Sequence, residues 1–313
     1  MTGSSGTAGD RDVSDTAMAA PTLASDTSSD TRTAPAPEGV ATVPGTRGRR
    51  HSALGRMRSD VPVPMTVGLS AIGVLLLLGG WWALAESMGA SDFLLPTPPE
   101  TWDAFRELLR EGTLREDLTA SLRRIGVGYA ISMLIGVVLG VMIASFRAIE
   151  AFSEAPIGFL RYIPAGALTP LFLLWLGIDE SPKVALIVVG TVFFNTLMIA
   201  DVARAVPQEL VNAASTLGAG RFTTLRRVIL PHSWPGIVDV ARINLAAAWV
   251  MLVVAEMLAA QEGLAFRVVR AQRFRAVDTM FAVLIVFGLI GLVSDLALRQ
   301  IRKRTAPWSE GSR

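Results

Sequence analysis

The residues best suited to chemistry in this chain are a polar segment set between apolar runs, Ala205–Pro231, and four polar side chains inside such runs, Arg161, Tyr162, Asn195 and Glu256. None is an obvious nucleophile. The chain has no cysteine, which removes thiol catalysis, disulfides and iron–sulfur ligation. Its two histidines, His51 and His232, fall in a polar tail and a loop. No metal site and no catalytic residue is therefore expected. Within the polar segment, Pro207 suits the start of a helix and Glu209 sits against the positive end of its dipole. Leu210, Ala213, Ala214 and Leu217 then recur at i, i+3, i+4 and i+7, which draws one apolar stripe. Gly218 follows as a helix stop, and a second short helix over 221–229 is expected to end at Pro231. Read alone, this element is either a surface connection or a docking surface, because its stripe has no span to pack inside.

Each isolated polar residue reads two ways. Glu256 lies about 27 Å along a helix from Val238, so it either serves function inside the membrane or reaches the outer interface. Arg161, expected near the inner end of its span, either attracts an anion or snorkels to the headgroups. Tyr162 and Asn195 either line a path or bond one helix to another.

The elements that must position these residues are membrane spans. Hydrophobic residues make up 51% of the 313 and charged residues only 18%, against about 25% charged in an ordinary soluble domain. Met65–Ala85 and Ile125–Phe146 carry no Asp, Glu, Lys, Arg or His, and a bilayer core needs about 20 apolar residues. That excludes a soluble enzyme. Six spans are expected, at 65–88, 121–146, 155–178, 183–203, 237–260 and 278–299. The third carries Pro156, Pro164 and Pro170 and so should be kinked or partly unwound. The face Gly136–Gly140 in the second is expected to pack a neighbouring helix.

Residues 1–60 are poor in large apolar side chains and are expected to be a disordered cytoplasmic tail. Arg47, Arg49, Arg50, Arg56 and Arg58 precede the first span, and Arg299, Arg302, Lys303 and Arg304 follow the last. Both clusters place the termini in the cytoplasm of a multi-pass cell-membrane protein. The loop 89–120, expected outside, is net acidic. The loop 261–277, also expected outside, dissents with Arg267, Arg270, Arg273 and Arg275. The basic residues flank spans instead of forming one patch, so no nucleic-acid partner is expected.

The polar segment resembles the loop of ABC importer permeases, written EAA, three residues, G, nine residues, I-x-L-P. The matching residues are Asn212-Ala213-Ala214, Gly218 and Val228-x-Leu230-Pro231, with Asn212 in place of the glutamate and Val228 in place of the isoleucine. Phe93-Leu-Leu-Pro-Thr-Pro98 is similar to the family's extracellular segment, and Leu160-Arg-Tyr-Ile-Pro164, Leu171–Ile178 and Val253–Leu258 are similar to the branch that imports sulfonates, taurine and nitrate. The resemblance implies an all-α membrane protein, a type I importer permease of about six transmembrane helices with a cytoplasmic coupling helix. It divides the chain into a tail (1–60), a first span with an extracellular segment (61–116), the ABC-type transmembrane domain (117–300) and a C-terminal tail (301–313). It also implies a transport subunit, not an enzyme. No cofactor is implied in the chain itself, with ATP and Mg on a partner ATPase, since no G-x-x-x-x-G-K-[ST] phosphate cradle occurs in the sequence. The implied partners are that ATP-binding subunit, an extracytoplasmic solute-binding protein, a second permease copy and membrane lipid. The alternative is an ATP-independent secondary transporter or channel. That class often shows inverted repeats and coupling carboxylates, and here there is no repeat and only Glu256.

Overall fold

A computed structural model describes residues 63–87 and 95–307. The expected tail at 1–60 lies outside the described residues. Among the described residues every regular element is helical: α1 (Val63–Ser87), α2 (Pro98–Arg110), α3 (Thr113–Ser145), α4 (Arg147–Leu160), α5 (Thr169–Leu176), α6 (Ser181–Arg204), α7 (Gln208–Thr216), α8 (Arg221–Thr224), α9 (Leu230–Ala259), α10 (Leu264–Arg273) and α11 (Val277–Thr305). Five stretches are long and apolar enough to cross a membrane: α1, α3, α6, α8–α9 and α11. The pair α4 and α5 makes a sixth only as a broken span, bent by 80° at residues 161–164, with the short 3-10 turn Ala165–Leu168 opening its second arm.

The centre is three helices, α3, α6 and α9. Close approach of α3 to α6 depends on small residues: a β-carbon added at Gly140 would stand 2.7 Å from the Thr196 carbonyl oxygen, and one at Gly136 would stand 2.9 Å from Asn195 Cβ. The expected glycine face therefore packs α6. Ile125, Ile187, Ala248 and Leu252 fill the gap on one level, and Val141, Ile199, Ile237 and Val240 on the next. By contrast α1 leaves Leu75, Leu76 and Leu77 about two-thirds exposed. A long, mainly apolar exposed helix suits lipid contact. It is tied to the rest through Trp81, whose indole N–H donates to the Pro96 carbonyl (3.0 Å) and whose ring stacks on Phe281.

Three expectations are corrected. The loops read at 89–120 and 261–277 contain α2 and α10. Both are amphipathic, and Leu108, Leu114, Leu264 and Val283 bury together where α2, α3, α10 and α11 meet. Glu100 reaches back to the Thr97 amide (2.7 Å) and, with Pro98 in the first turn, starts α2. Pro231 does not end a helix. The chain stays helical from Arg221 to Ala259, because a π segment over Leu225–Ile229 precedes the proline. There the Leu230 amide bonds the Leu225 carbonyl, five residues back. Widening that turn relieves the conflict between the proline ring and the carbonyl four residues before it. The last helix also continues past residue 300, to Thr305.

Candidate functional site

The polar residues singled out above fall in four places, two at opposite ends of the bundle and two between them.

At one end, α7 projects between α6 and α8. Its stop is a Schellman motif: Gly218 takes φ +81°, its amide bonds the Ser215 carbonyl (3.0 Å), and the Ala219 amide bonds the Ala214 carbonyl (3.0 Å). No residue of α7 is buried. Leu210 is 42% exposed and Leu217 88% exposed, with Ala213 between them also exposed. The stripe is therefore laid out without a partner among the described residues. Glu209 is exposed in the first turn, and Asn212 accepts a hydrogen bond from Gln208 one turn back (3.1 Å). On another face Val211 and Ser215 line a cleft of about 520 Å³ against the α3–α4 corner at Phe146. Leu230 and Pro231 lie at the π junction, on the continuous helix.

At the opposite end, Arg124 is 1% exposed and holds three elements together. Its Nε and Nη2 donate to the two Glu180 oxygens (2.6 and 2.9 Å). Its Nη1 donates to Glu256 Oε1 (2.9 Å) and to the Glu262 carbonyl (2.7 Å). Glu256 is equally enclosed. It accepts from Ser121 Oγ (2.7 Å) and from the Ala265 amide (2.9 Å). The Leu264 amide donates to Ser121 Oγ (2.9 Å), and the Gly263 amide to Asp117 Oδ1 (2.8 Å). Three orphan amides at the start of α10 are thus met by Asp117, Ser121 and Glu256, with negative charge against the dipole. Gly263, at φ +126°, allows the approach, since a β-carbon there would stand 2.5 Å from the Glu256 carboxylate. Arg267 completes the cluster on Asp117 (2.6 Å).

Sequence reasoning found Glu256 but missed its partners. The signal was present: Asp117, Ser121 and Arg124 fall at i, i+4 and i+7, on one face of α3. The side chain of Glu256, expected as a pathway candidate, is 0% exposed and joins α9 to α3 through Arg124 and Ser121.

Glu180, at the head of α6, is 43% exposed. Arg124 holds its carboxyl at about 2, far below the ordinary 4.5, with Lys183 assisting and partial burial opposing. The bridge therefore contributes stability fully above pH 4.5 and loses it as pH falls from there toward 2. Melting curves in detergent between pH 6 and pH 3 should show the lead of wild type over Glu180→Gln shrinking on acidification. A lead that stays constant overturns this.

Between the two ends, Asn195 is fully buried. It donates to Ser132 Oγ (2.9 Å) and accepts from Asn244 Nδ2 (2.8 Å), while Thr191 and Ser132 share a further bond (2.7 Å). This chain of bonds joins α3, α6 and α9, so the helix-bonding reading of Asn195 fits the geometry. Arg161 and Tyr162 stand elsewhere, at the break between α4 and α5. Both are exposed, Arg161 Nη2 donates to the Tyr162 hydroxyl (2.9 Å), and the guanidinium carbon lies 4.8 Å from the ring centre. They line a cavity of about 260 Å³ with Gly190 and Phe193 of α6 and Met251 of α9. That is the middle of α6, deeper than the span end expected for Arg161.

The family model described as binding-protein-dependent transport system inner membrane component matches residues 136–307. A probable ABC transporter permease protein of Brucella abortus (strain 2308) is 34% identical over 78% of this chain and 96% of its own length. The taurine transport system permease protein TauC of Escherichia coli (strain K12) is 32% identical over 81% of this chain and 94% of its own. A putative aliphatic sulfonates transport permease protein, SsuC of Bacillus subtilis (strain 168), is 30% identical over 72% and 83%. In fold, the chain is similar to a structure of the MetNI methionine ABC transporter in an inward-facing conformation, with TM-score 0.57 and 20% identity over 64% of this chain and 99% of that one. With six candidate spans and an exposed helix between the fourth and fifth, the chain belongs to the family of binding-protein-dependent transport system inner membrane components, the permeases of ABC importers.

Proposed function

We propose that this permease carries a small oxoanion, a sulfonate, taurine or nitrate, and that α7 couples it to a separate ATP-hydrolysing subunit. The observation that carries the coupling is the stripe on α7, ordered by its glycine stop yet unpartnered among the described residues. Burying one leucine of such a stripe in a partner groove is worth about 2 kcal/mol. ATP and Mg would sit on that subunit. An extracytoplasmic solute-binding protein would deliver the substrate, and a second copy of this chain would complete the path within the lipid bilayer. The names of the taurine and sulfonate relatives support the oxoanion.

Both termini belong in the cytoplasm on this reading, on the same side as α7. The dissenting arginines of the 261–277 segment weigh less than their number, because Arg267 is neutralised by Asp117. In domain terms, residues 117–300 form the transmembrane domain, with 61–116 as first span and extracellular segment and the termini as tails. A carrier driven by protons or ions without ATP would need a titratable carboxylate inside the membrane, and Glu256 is saturated by Arg124, Ser121 and the Ala265 amide.

The test is purification of the tagged chain from native membranes in mild detergent, followed by mass spectrometry. An ATPase with a phosphate-binding loop and a solute-binding protein should co-purify, and Leu217→Asp should cut recovery of the ATPase about tenfold while leaving the chain in the membrane. Recovery of the chain alone in several detergents overturns the proposal.

A further inference from the structure

We propose that Arg161 and Tyr162 form an oxoanion-binding station halfway across the membrane. The assignment rests on the permease reading and names a point on its path. Three observations carry it.

The first is depth. The cavity beside Arg161 is walled by Gly190 and Phe193, near the midpoint of a helix that runs from Ser181 to Arg204. About 15 Å of hydrocarbon then lies on either side, farther than an arginine side chain reaches, so snorkelling does not relieve its charge. The second is pairing. Arg124, Arg242, Arg267 and Arg302 each meet a carboxylate. Among the described residues the Arg161 guanidinium meets only the hydroxyl and ring of Tyr162. An unpaired cation facing lipid at this depth is costly and belongs against a water-filled cavity. The third is backbone. Residues 161–164 leave the helix between α4 and the 3-10 turn, and irregular backbone at membrane depth is tolerated only inside protein or along water. The exposed side of Arg161 thus faces the path.

The chemistry of the pair selects the ligand. Tyr162 takes one of the two Nη2 hydrogens, so the other, together with Nε or Nη1 beside it, stays available as a fork for two oxygens of one anion. The Tyr162 hydroxyl accepts from Arg161 and keeps its own proton to donate to a third oxygen. Phe193 and Met251 line the rest and strengthen the attraction by excluding water. A volume of about 260 Å³ falls below the range of drug-sized pockets. It suits a sulfonate or nitrate, held weakly enough to move on.

The absence of native cysteine makes the test direct. Ile163→Cys, lining the same cavity, is placed in the full chain in lipid nanodiscs with both faces open. It is then labelled with anionic 2-sulfonatoethyl or cationic 2-trimethylammonioethyl methanethiosulfonate. The anionic reagent should react about 25-fold faster, relative to the same ratio at Leu217→Cys, because one unit charge at contact distance in water speeds the anion and slows the cation by about fivefold each. Arg161→Gln should abolish the preference and Arg161→Lys retain it, and sodium nitrate should slow the anionic reagent only where the cation is present. Leu168→Cys, on another wall of the cavity, repeats the measurement. Failure of either reagent to label the cavity, or a preference unchanged by Arg161→Gln, overturns the station. Neither result bears on the permease reading, whose test is co-purification.

Discussion

Arg124→Ala is expected to lower the stability of the chain by about 3–5 kcal/mol, the usual cost of removing one partner from a buried ion pair. The reason is what the substitution leaves behind. Glu256 would stay 0% exposed with its carboxylate on Ser121 and a backbone amide but without a counter-charge. Glu180 would lose a two-point contact, and the Glu262 carbonyl would lose its donor. The start of α10 would loosen with them, since its Ala265 amide bonds the Glu256 carboxylate and its Leu264 amide bonds the Ser121 hydroxyl that donates to Glu256. The apparent melting temperature in detergent should fall on the order of 10 °C. Arg124→Lys should recover only part of this, because a point charge with three donors cannot span Glu180 and Glu256 together. A control lies at the other end of α6, where Arg204 pairs with Asp201 at 2.8 Å with 40% and 74% exposure. Asp201→Ala should cost under about 1 kcal/mol. Equal losses at the two sites would show that burial is not what makes Arg124 matter.

What could be read from the sequence, and what could not, divides along a physical line. The apolar spans were legible because lipid demands long runs without charge, and such runs need no knowledge of neighbours. The α7 stripe and its stop at Gly218 were legible because spacing and a left-handed residue are local properties. Hidden were α2, α10 and the first turns of α3, whose charged faces lower hydropathy to that of a loop. They are helices because Leu108, Leu114 and Leu264 find a common core with α11. The partner of Glu256 was hidden for the same reason. Arg124 stands 132 positions away, and only the folding of α3 against α9 brings the two together. Helix continuity through Pro231 depends on a change of hydrogen-bond register, which composition does not encode.

Gly218→Val is expected to abolish most transport while leaving the chain inserted and folded. Nothing stands within 4 Å of a β-carbon at this position, so crowding is not the cause. The cause is the backbone, since φ +81° is favourable for glycine and costs other residues about 1–2 kcal/mol. That is roughly a 5- to 30-fold shift against the ordered stop, and a β-branched side chain resists it most. Without the stop, the amides of Gly218 and Ala219 release the carbonyls of Ser215 and Ala214, and Leu217 no longer stands at a fixed point beside Leu210. A groove that reads both leucines then meets a frayed helix. The backbone explanation predicts an order: Gly218→Asn near wild type, because asparagine tolerates the left-handed region, then Gly218→Ala, then Gly218→Val. ATP-driven uptake and ATPase recovery, each normalised to the amount of permease in the membrane, should both follow it. If Gly218→Val transports normally at normal abundance, the ordered end of α7 is not what transmits ATP hydrolysis to the membrane helices. If Gly218→Asn fails as badly as Gly218→Val, the glycine matters for close contact with the partner and not for its φ.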